Sequence, residues 1–347
     1  MKKIGIYLLI LIIVCFIMPT LLTKRGIEVI ASNENELENN IKTQENSNEN
    51  QDDIFNMSAT YEYKKYGTIK LLHKDTSQVE EVPIDEYLCH VVSAEMPVDF
   101  ELEALKAQAI VARTYTIYKI ENKKHEEADI CDDSTCCQAW ISKEDRLARW
   151  EENKRESNWE KIQKAVTQTT GLIITYENAP INAFFHSNSG GTTEIPVNVW
   201  GGTGYPYLQS VETSGEEAYT QYLSEVTFTN EELLNKLKVT HPETAIDFAN
   251  NEDIKILEYT ESKRVKTIKF GNIEISGTEA RTILGLRSTN FEITKENGTI
   301  KFSVKGYGHG VGMSQTGADS LAKQGKTASE IIHHFYTDVE IKEVNEL

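Results

Sequence analysis

A single glutamate and one short loop hold most of the chemistry this sequence can offer. Leu88, Val91 and Val92 recur at helical spacing, and Glu95 falls next on the same apolar stripe. Pro97 pushes Met96 out of the helical region, so the helix must end near Glu95. A carboxylate there meets the negative end of the helix dipole and is withdrawn from water. Both effects disfavour the charged form and raise the pKa, as a general acid requires. A glutamate fraying into solvent at a helix end is the other reading of the same residues.

The loop HEEADICDDSTCC gathers His125, Cys131, Cys136 and Cys137. Imidazole and thiolate on one loop suit Zn²⁺. A disulfide between Cys131 and either Cys136 or Cys137 is the alternative, since adjacent cysteines do not readily pair with each other. His125-Glu126 has no second histidine four residues on, which excludes a zinc-protease helix. His186 and Ser187 leave an apolar strand into Gly190-Gly191, without the G-x-S-x-G elbow of a serine hydrolase. His309 is flanked by Gly306, Gly308, Gly310 and Gly312, an alternation that lets a backbone approach a ligand or a helix closely. Trp200, Gly201, Gly202, Tyr205 and Tyr207 make an aromatic loop that either stacks on sugar or anchors itself.

These groups need elements to position them. A second helix starts near Asp99 as N-cap, with Glu101 and Glu103 in its first turn. Leu102, Leu105, Ala109, Ala112 and Thr116 mark one face of small residues, while Lys106, Gln108 and Arg113 project either toward a cleft or into solvent. Strand-like segments precede this helix pair, and an amphipathic helical stretch from Arg146 to Thr170 follows it, leading into the hairpin GLIITYENAPINAFF. Residues from Ser314 to Ala322 begin another helix, and Thr327 with Glu330 forms a capping box for the last one.

The chain divides by composition. Residues 1–25 hold an apolar run from Ile4 to Thr23, about the 20 residues that span a bilayer. It reads as a single-pass anchor with the rest of the chain on the extracytoplasmic side, a cleaved signal peptide being the alternative. Residues 26–57 read as a disordered acidic linker. Residues 58–347 form the folded part, within which 214–300 reads as an inserted subdomain without a catalytic signal. The net charge of −18 excludes a nucleic-acid partner.

EYLCHVVSAEMPVDFELEALKAQAIVARTY, the His125 loop, the Phe185-His186-Ser187 run and GYGHGVGMSQTGA together resemble the stage II sporulation protein D family, in the family's order. The resemblance implies an α+β fold of mixed helices and antiparallel strands around a central helix pair. It implies a membrane-anchored lytic transglycosylase of the sporulating cell wall, related to amidase-enhancer proteins. Such an enzyme cleaves the β-1,4 bond after N-acetylmuramic acid in peptidoglycan glycan strands and leaves a 1,6-anhydro sugar. Hydrolytic glycosidases ordinarily need two carboxylates. This reaction needs one, and Glu95 fills that role.

The resemblance also places the His186-Ser187 run beside the cleft, and Lys106, Arg113, His309 and Gln315 are expected to line it too. It assigns structural zinc to His125, Cys131 and Cys137, with Cys136 or water as fourth ligand. The partners it implies are a cell-wall amidase and another membrane protein of engulfment. On the reading that alternating glycines face a ligand strand, there is little room for a stem peptide, so peptide-stripped glycan is the expected substrate. Arg113 is then the expected cation for the lactyl carboxylate. Two rival readings remain, a non-catalytic glycan-binding enhancer of an amidase and a zinc hydrolase with an open metal site near Glu95.

Overall fold

In the computed structural model, which describes residues 61–296 and 298–347, two prolines set the limits of the first helix. β1 (Thr68–His73) and β2 (Gln78–Pro83) pair antiparallel, from Thr68 opposite Pro83 to His73 opposite Gln78. Pro83 closes that hairpin and opens α1 (Ile84–Glu95), with Asp85 and Glu86 in the first turn where the dipole favours acids. At the far end Met96 is extended, with φ −117 and ψ 141, as the residue before a proline prefers. The helix therefore stops at Glu95.

α2 (Leu102–Glu121) follows, and β3 (Ile130–Cys131) joins β1 in parallel. α3 (Lys143–Ala148) and α4 (Arg155–Thr167) lead to β4 (Leu172–Tyr176), β5 (Ala179–Pro180), β6 (Phe185–His186) and the short α5 (Pro196–Trp200). A second group of elements comprises β7 (Leu223–Thr229), α6 (Asn230–Thr240), β8 (Ile254–Tyr259), β9 (Val265–Phe270) and β10 (Ile273–Ser276). It continues through α7 (Gly277–Leu284), β11 (Asn290–Glu296) and β12 (Thr299–Lys305). The chain returns as β13 (Met313–Ser314), α8 (Gln315–Lys323), α9 (Ala328–Phe335) and β14 (Glu340–Glu343). β13 lies parallel to β6, and β14 lies antiparallel to β4. The second group holds two antiparallel sheets, β8–β9–β10 and β7–β12–β11. The architecture is mixed α+β, as the sequence implies.

α2 departs from its expected pattern. Every residue from Ala107 to Ile117 is buried, because α1, α4, β4, α8 and α9 pack around it. Small residues such as Ala107, Ala109 and Ala112 let those neighbours approach from several sides. Asp99 is not its cap. The helix opens at Leu102, and the Glu101 N–H donates instead to the buried Asp319 Oδ1 at 2.7 Å.

The second group has its own apolar cluster, centred on Leu237, Phe270, Phe302 and Val304. Between the two cores runs a buried polar seam. Arg264, 1% exposed, donates from Nη2 to the carbonyls of Ser189 (2.5 Å) and Thr192 (3.4 Å). Glu194 accepts in return from Thr260 Oγ1 at 2.6 Å and Ser262 Oγ at 3.1 Å. Groups withdrawn from water at such a seam must bond each other. The expected anchor at 1–25 and linker at 26–57 lie outside the described residues. Among the described residues no helix is long and apolar enough to cross a membrane.

Candidate active site

Glu95, the last residue of α1, lies where two cavities adjoin. One, of about 310 Å³, is bounded by Met96, Phe100, Arg146 and Gln221. The other, of about 1150 Å³, is bounded by Tyr115, Lys119, Trp200, Arg281 and His309. Glu95, Ser187 and Gln315 line both. Glu95 Oε1 accepts from the Ala139 N–H at 2.7 Å, and Oε2 accepts from Gln315 Nε2 at 3.2 Å. Burial outweighs these two donors and pushes the carboxyl above the ordinary glutamate value.

Its supports come from distant parts of the chain. Gln315 opens α8, whose N-terminus is capped by Ser314 Oγ accepting from the Gly317 N–H. The Gln315 amide also reaches Gln108 Oε1 on α2 at 3.5 Å. Ala139 lies two residues beyond Cys137, so the cysteine loop delivers a backbone donor to Glu95. Nothing in the residue type of Ala139 could have announced this, because the donor is main chain. Gln108 did carry a signal, as a polar side chain within a helix of small residues.

The loop itself forms one cluster. His125 Nε2 lies 3.5 Å from Cys137 Sγ and 3.7 Å from Cys136 Sγ. Cys131 and Cys137 sulfurs are 3.4 Å apart, and those of Cys136 and Cys137 are 3.9 Å apart. A tetrahedral zinc with bonds of about 2.3 Å to sulfur and 2.0 Å to nitrogen sets its ligand atoms roughly 3.5–3.8 Å apart. The four donor atoms, all within 4.8 Å of one another, fit that geometry. All four cysteines in the described residues are free thiols. Burial and the neighbouring Lys124 lower the His125 pKa, favouring the neutral imidazole that binds metal. Four protein ligands make a closed site, which suits a structural ion and not the open position of a zinc hydrolase.

His186 and His309 both line the larger cavity, with ring centroids 5.6 Å apart. Their partners identify the tautomers. His186 Nδ1 sits 3.1 Å from the Val311 carbonyl and so carries a proton, leaving Nε2 without a partner among the described residues. His309 Nδ1 accepts from the Val311 N–H at 3.0 Å. Burial, then Arg264, pushes His186 down to about 3, and burial pushes His309 well below the ordinary value, so both rings are neutral. Trp200, half exposed, packs on Phe184 and His309 along the same cavity, whereas Tyr207 is buried and its hydroxyl accepts from the Asn182 N–H.

Three expectations need correction. Arg113 does not reach the cleft. It is wholly buried, paired with Asp85 Oδ1 at 2.9 Å, and donates to the carbonyls of Val166, Thr169 and Leu172 where α4 ends. Its charge caps a helix C-terminus instead of reading substrate. Arg113→Ala is therefore expected to lower stability by about 3 kcal/mol in urea unfolding, because the buried carbonyls of Val166, Thr169 and Leu172 lose their donor and the partly exposed Asp85 loses its partner. Lys106 pairs with Glu103 at 2.7 Å and lines neither cavity. The glycine alternation, finally, makes room for the protein's own atoms. A Cβ on Gly310, at φ +86, would lie 2.6 Å from the Arg264 guanidinium, and one on Gly312 would lie 1.9 Å from the Phe184 carbonyl oxygen.

Comparison with known proteins gives the chain its relatives. A family model described as stage II sporulation protein matches residues 72–176. Stage II sporulation protein D of Bacillus amyloliquefaciens is 36% identical over 282 residues, covering 80% of this chain and 79% of that protein. The protein of the same name in Bacillus subtilis is 36% identical over 281 residues, covering 80% of each. An amidase enhancer of Bacillus subtilis is 29% identical over 294 residues, covering 71% of this chain and 39% of that protein. The match over residues 72–176 covers the helix pair, the cysteine loop and β4, a part of the folded region. The two D proteins are specific enough to say that this chain belongs to the stage II sporulation protein D family.

Proposed function

We propose that this protein is a lytic transglycosylase that cuts peptidoglycan glycan strands during remodelling of the sporulating cell wall. One observation carries the reading: among the described residues, Glu95 is the sole carboxylate lining either cavity. A hydrolytic pair has no second member here. With its raised pKa, Glu95 protonates the glycosidic oxygen leaving N-acetylmuramic acid, and the C1–O bond breaks. The C6 hydroxyl of the same sugar then attacks C1, and the Glu95 carboxylate takes its proton. The product is a 1,6-anhydro sugar, and the enzyme is returned to its starting form without water. His186, Ser187, His309 and Gln315 border the space the glycan occupies, Gln315 through its hold on Glu95. The His125 cluster holds zinc as a staple for the loop that carries Ala139.

The chain acts from a single-pass anchor at residues 1–25, with the folded part on the extracytoplasmic side. An amidase partner is supported by the amidase enhancer among its relatives. An amidase that removes stem peptides leaves the stripped glycan that this cleft accepts. The purified chain is expected to release oligosaccharides with 1,6-anhydro ends from stripped glycan about tenfold faster than it cuts intact wall, an expectation that rests on the amidase-enhancer relative and not on the glycines around His309. Mass spectrometry of both digests tests this, and equal rates would remove the substrate preference. The amidase-enhancer relative also supports a second reading, in which the chain binds glycan and stimulates an amidase without cutting. Absence of any anhydro product from either substrate selects that reading.

A further inference from the structure

The larger cavity inverts the charge balance of the chain. The sequence carries 54 acidic against 36 basic side chains, yet among the described residues Lys119, Lys124 and Arg281 line this cavity with Glu95 as its lone acid. The two lysines are engaged. Lys119 Nζ lies 4.9 Å over the Tyr115 ring, and Lys124 Nζ lies 3.5 Å from the Cys136 carbonyl beside the metal ligands. Arg281, on α7 of the second core, is different. Its Nε donates to the Leu286 carbonyl at 3.3 Å, which orients the guanidinium. Its terminal nitrogens have no hydrogen-bond acceptor and no carboxylate partner among the described residues.

The ionisable groups that bear on Arg281 do not neutralise it. His186 and His309 are neutral imidazoles, Tyr307 is a phenol, and Arg264 is a second cation behind the histidines. A half-buried guanidinium without a counter-charge is costly in a free cleft. Its fork of N–H donors matches one ligand chemistry well, a carboxylate taken through both oxygens.

We propose that Arg281 is the residue by which the cleft reads an acid-bearing sugar, binding the lactyl carboxylate of a muramic acid unit through its two terminal nitrogens. The proposal rests on the reading of the ligand as a glycan strand and deepens it. It replaces Arg113 in that role. It also gives the segment 214–300, which carries no catalytic signal in sequence, a part in substrate selection.

The test is binding by calorimetry at low ionic strength, using the full chain carrying Glu95→Gln to prevent turnover. Two probes are compared: a peptide-free oligosaccharide of alternating N-acetylglucosamine and N-acetylmuramic acid, and the same oligosaccharide with its lactyl carboxylates reduced to alcohols. With Arg281 present, reduction should weaken binding by about tenfold or more, the worth of one charge-assisted hydrogen-bonded pair. After Arg281→Gln the two probes should bind within about twofold of each other, with the alcohol probe binding as it does to the parent, because the paired carboxylate alone has lost its partner. A parent chain indifferent to reduction overturns the proposal without recourse to any variant, so a poorly folded Arg281→Gln protein cannot shelter it. A folded variant that still senses reduction overturns it equally. The reaction is scored apart from this, by anhydro product from the chain with Glu95 intact. Product without carboxylate discrimination removes Arg281 alone, and discrimination without product removes the transglycosylase alone.

Discussion

Glu95→Gln is expected to reduce anhydro-sugar formation by about 10²-fold or more, the range over which a positioned general acid contributes. Glutamine preserves the shape of the side chain and keeps one oxygen for the Ala139 N–H. Gln315 can turn its own amide to meet the new one, so the junction of the two cavities should survive. What disappears is the transferable proton, and glycan binding should remain. The pH profile of the unsubstituted enzyme gives a second check. Burial raises the Glu95 pKa, so the protonated form persists to higher pH than for an ordinary glutamate. Turnover should therefore hold on the acid side and fall as pH rises through that raised value. Near-native product formation by Glu95→Gln would show that the proton comes from elsewhere.

The second large effect concerns the cysteine loop. Removal of metal by a chelator, or Cys131→Ser, should lower the melting temperature and the unfolding free energy, by about 4 kcal/mol where free zinc exceeds its Kd a thousandfold. Turnover per folded molecule should fall less, because the ion lies outside the bond-breaking steps. A subtler trace is expected in the pH profile. If the loop loosens, Glu95 loses the Ala139 donor that favours its charged form, and the alkaline limb moves further up. Elemental analysis should find one zinc per chain. Metal-free protein with a mapped disulfide among Cys131, Cys136 and Cys137 would overturn this assignment.

How much of this was legible in the sequence follows from the range of each interaction. The end of α1 was readable because Pro97 acts on its immediate neighbour. The His125 cluster was readable because its ligands lie within one loop. Arg113 was misplaced because α2 is wrapped by elements from residues 155–176 and 315–335, and spacing alone cannot distinguish a helix buried on one face from one buried all round. The glycines around His309 were read as facing a ligand for a similar reason. What actually fills the space above Gly310 is Arg264, a residue of the other core whose reach no local pattern encodes. The role of Arg281 is not legible locally, because it lies in the partners the guanidinium lacks.

The bond between Gln315 and Glu95 joins residues 220 positions apart. A ribosome adding about 5–20 residues per second takes roughly ten to forty seconds to make that stretch. Through most of that time the growing chain holds the glutamate and both helices of the central pair, but not the Gln315 that lines both cavities beside it. A chain interrupted before its final helices would be inert toward glycan, whatever its stability. On the transglycosylase reading, the late arrival of Gln315 is itself a safeguard, since the carboxyl gains its side-chain partner only then.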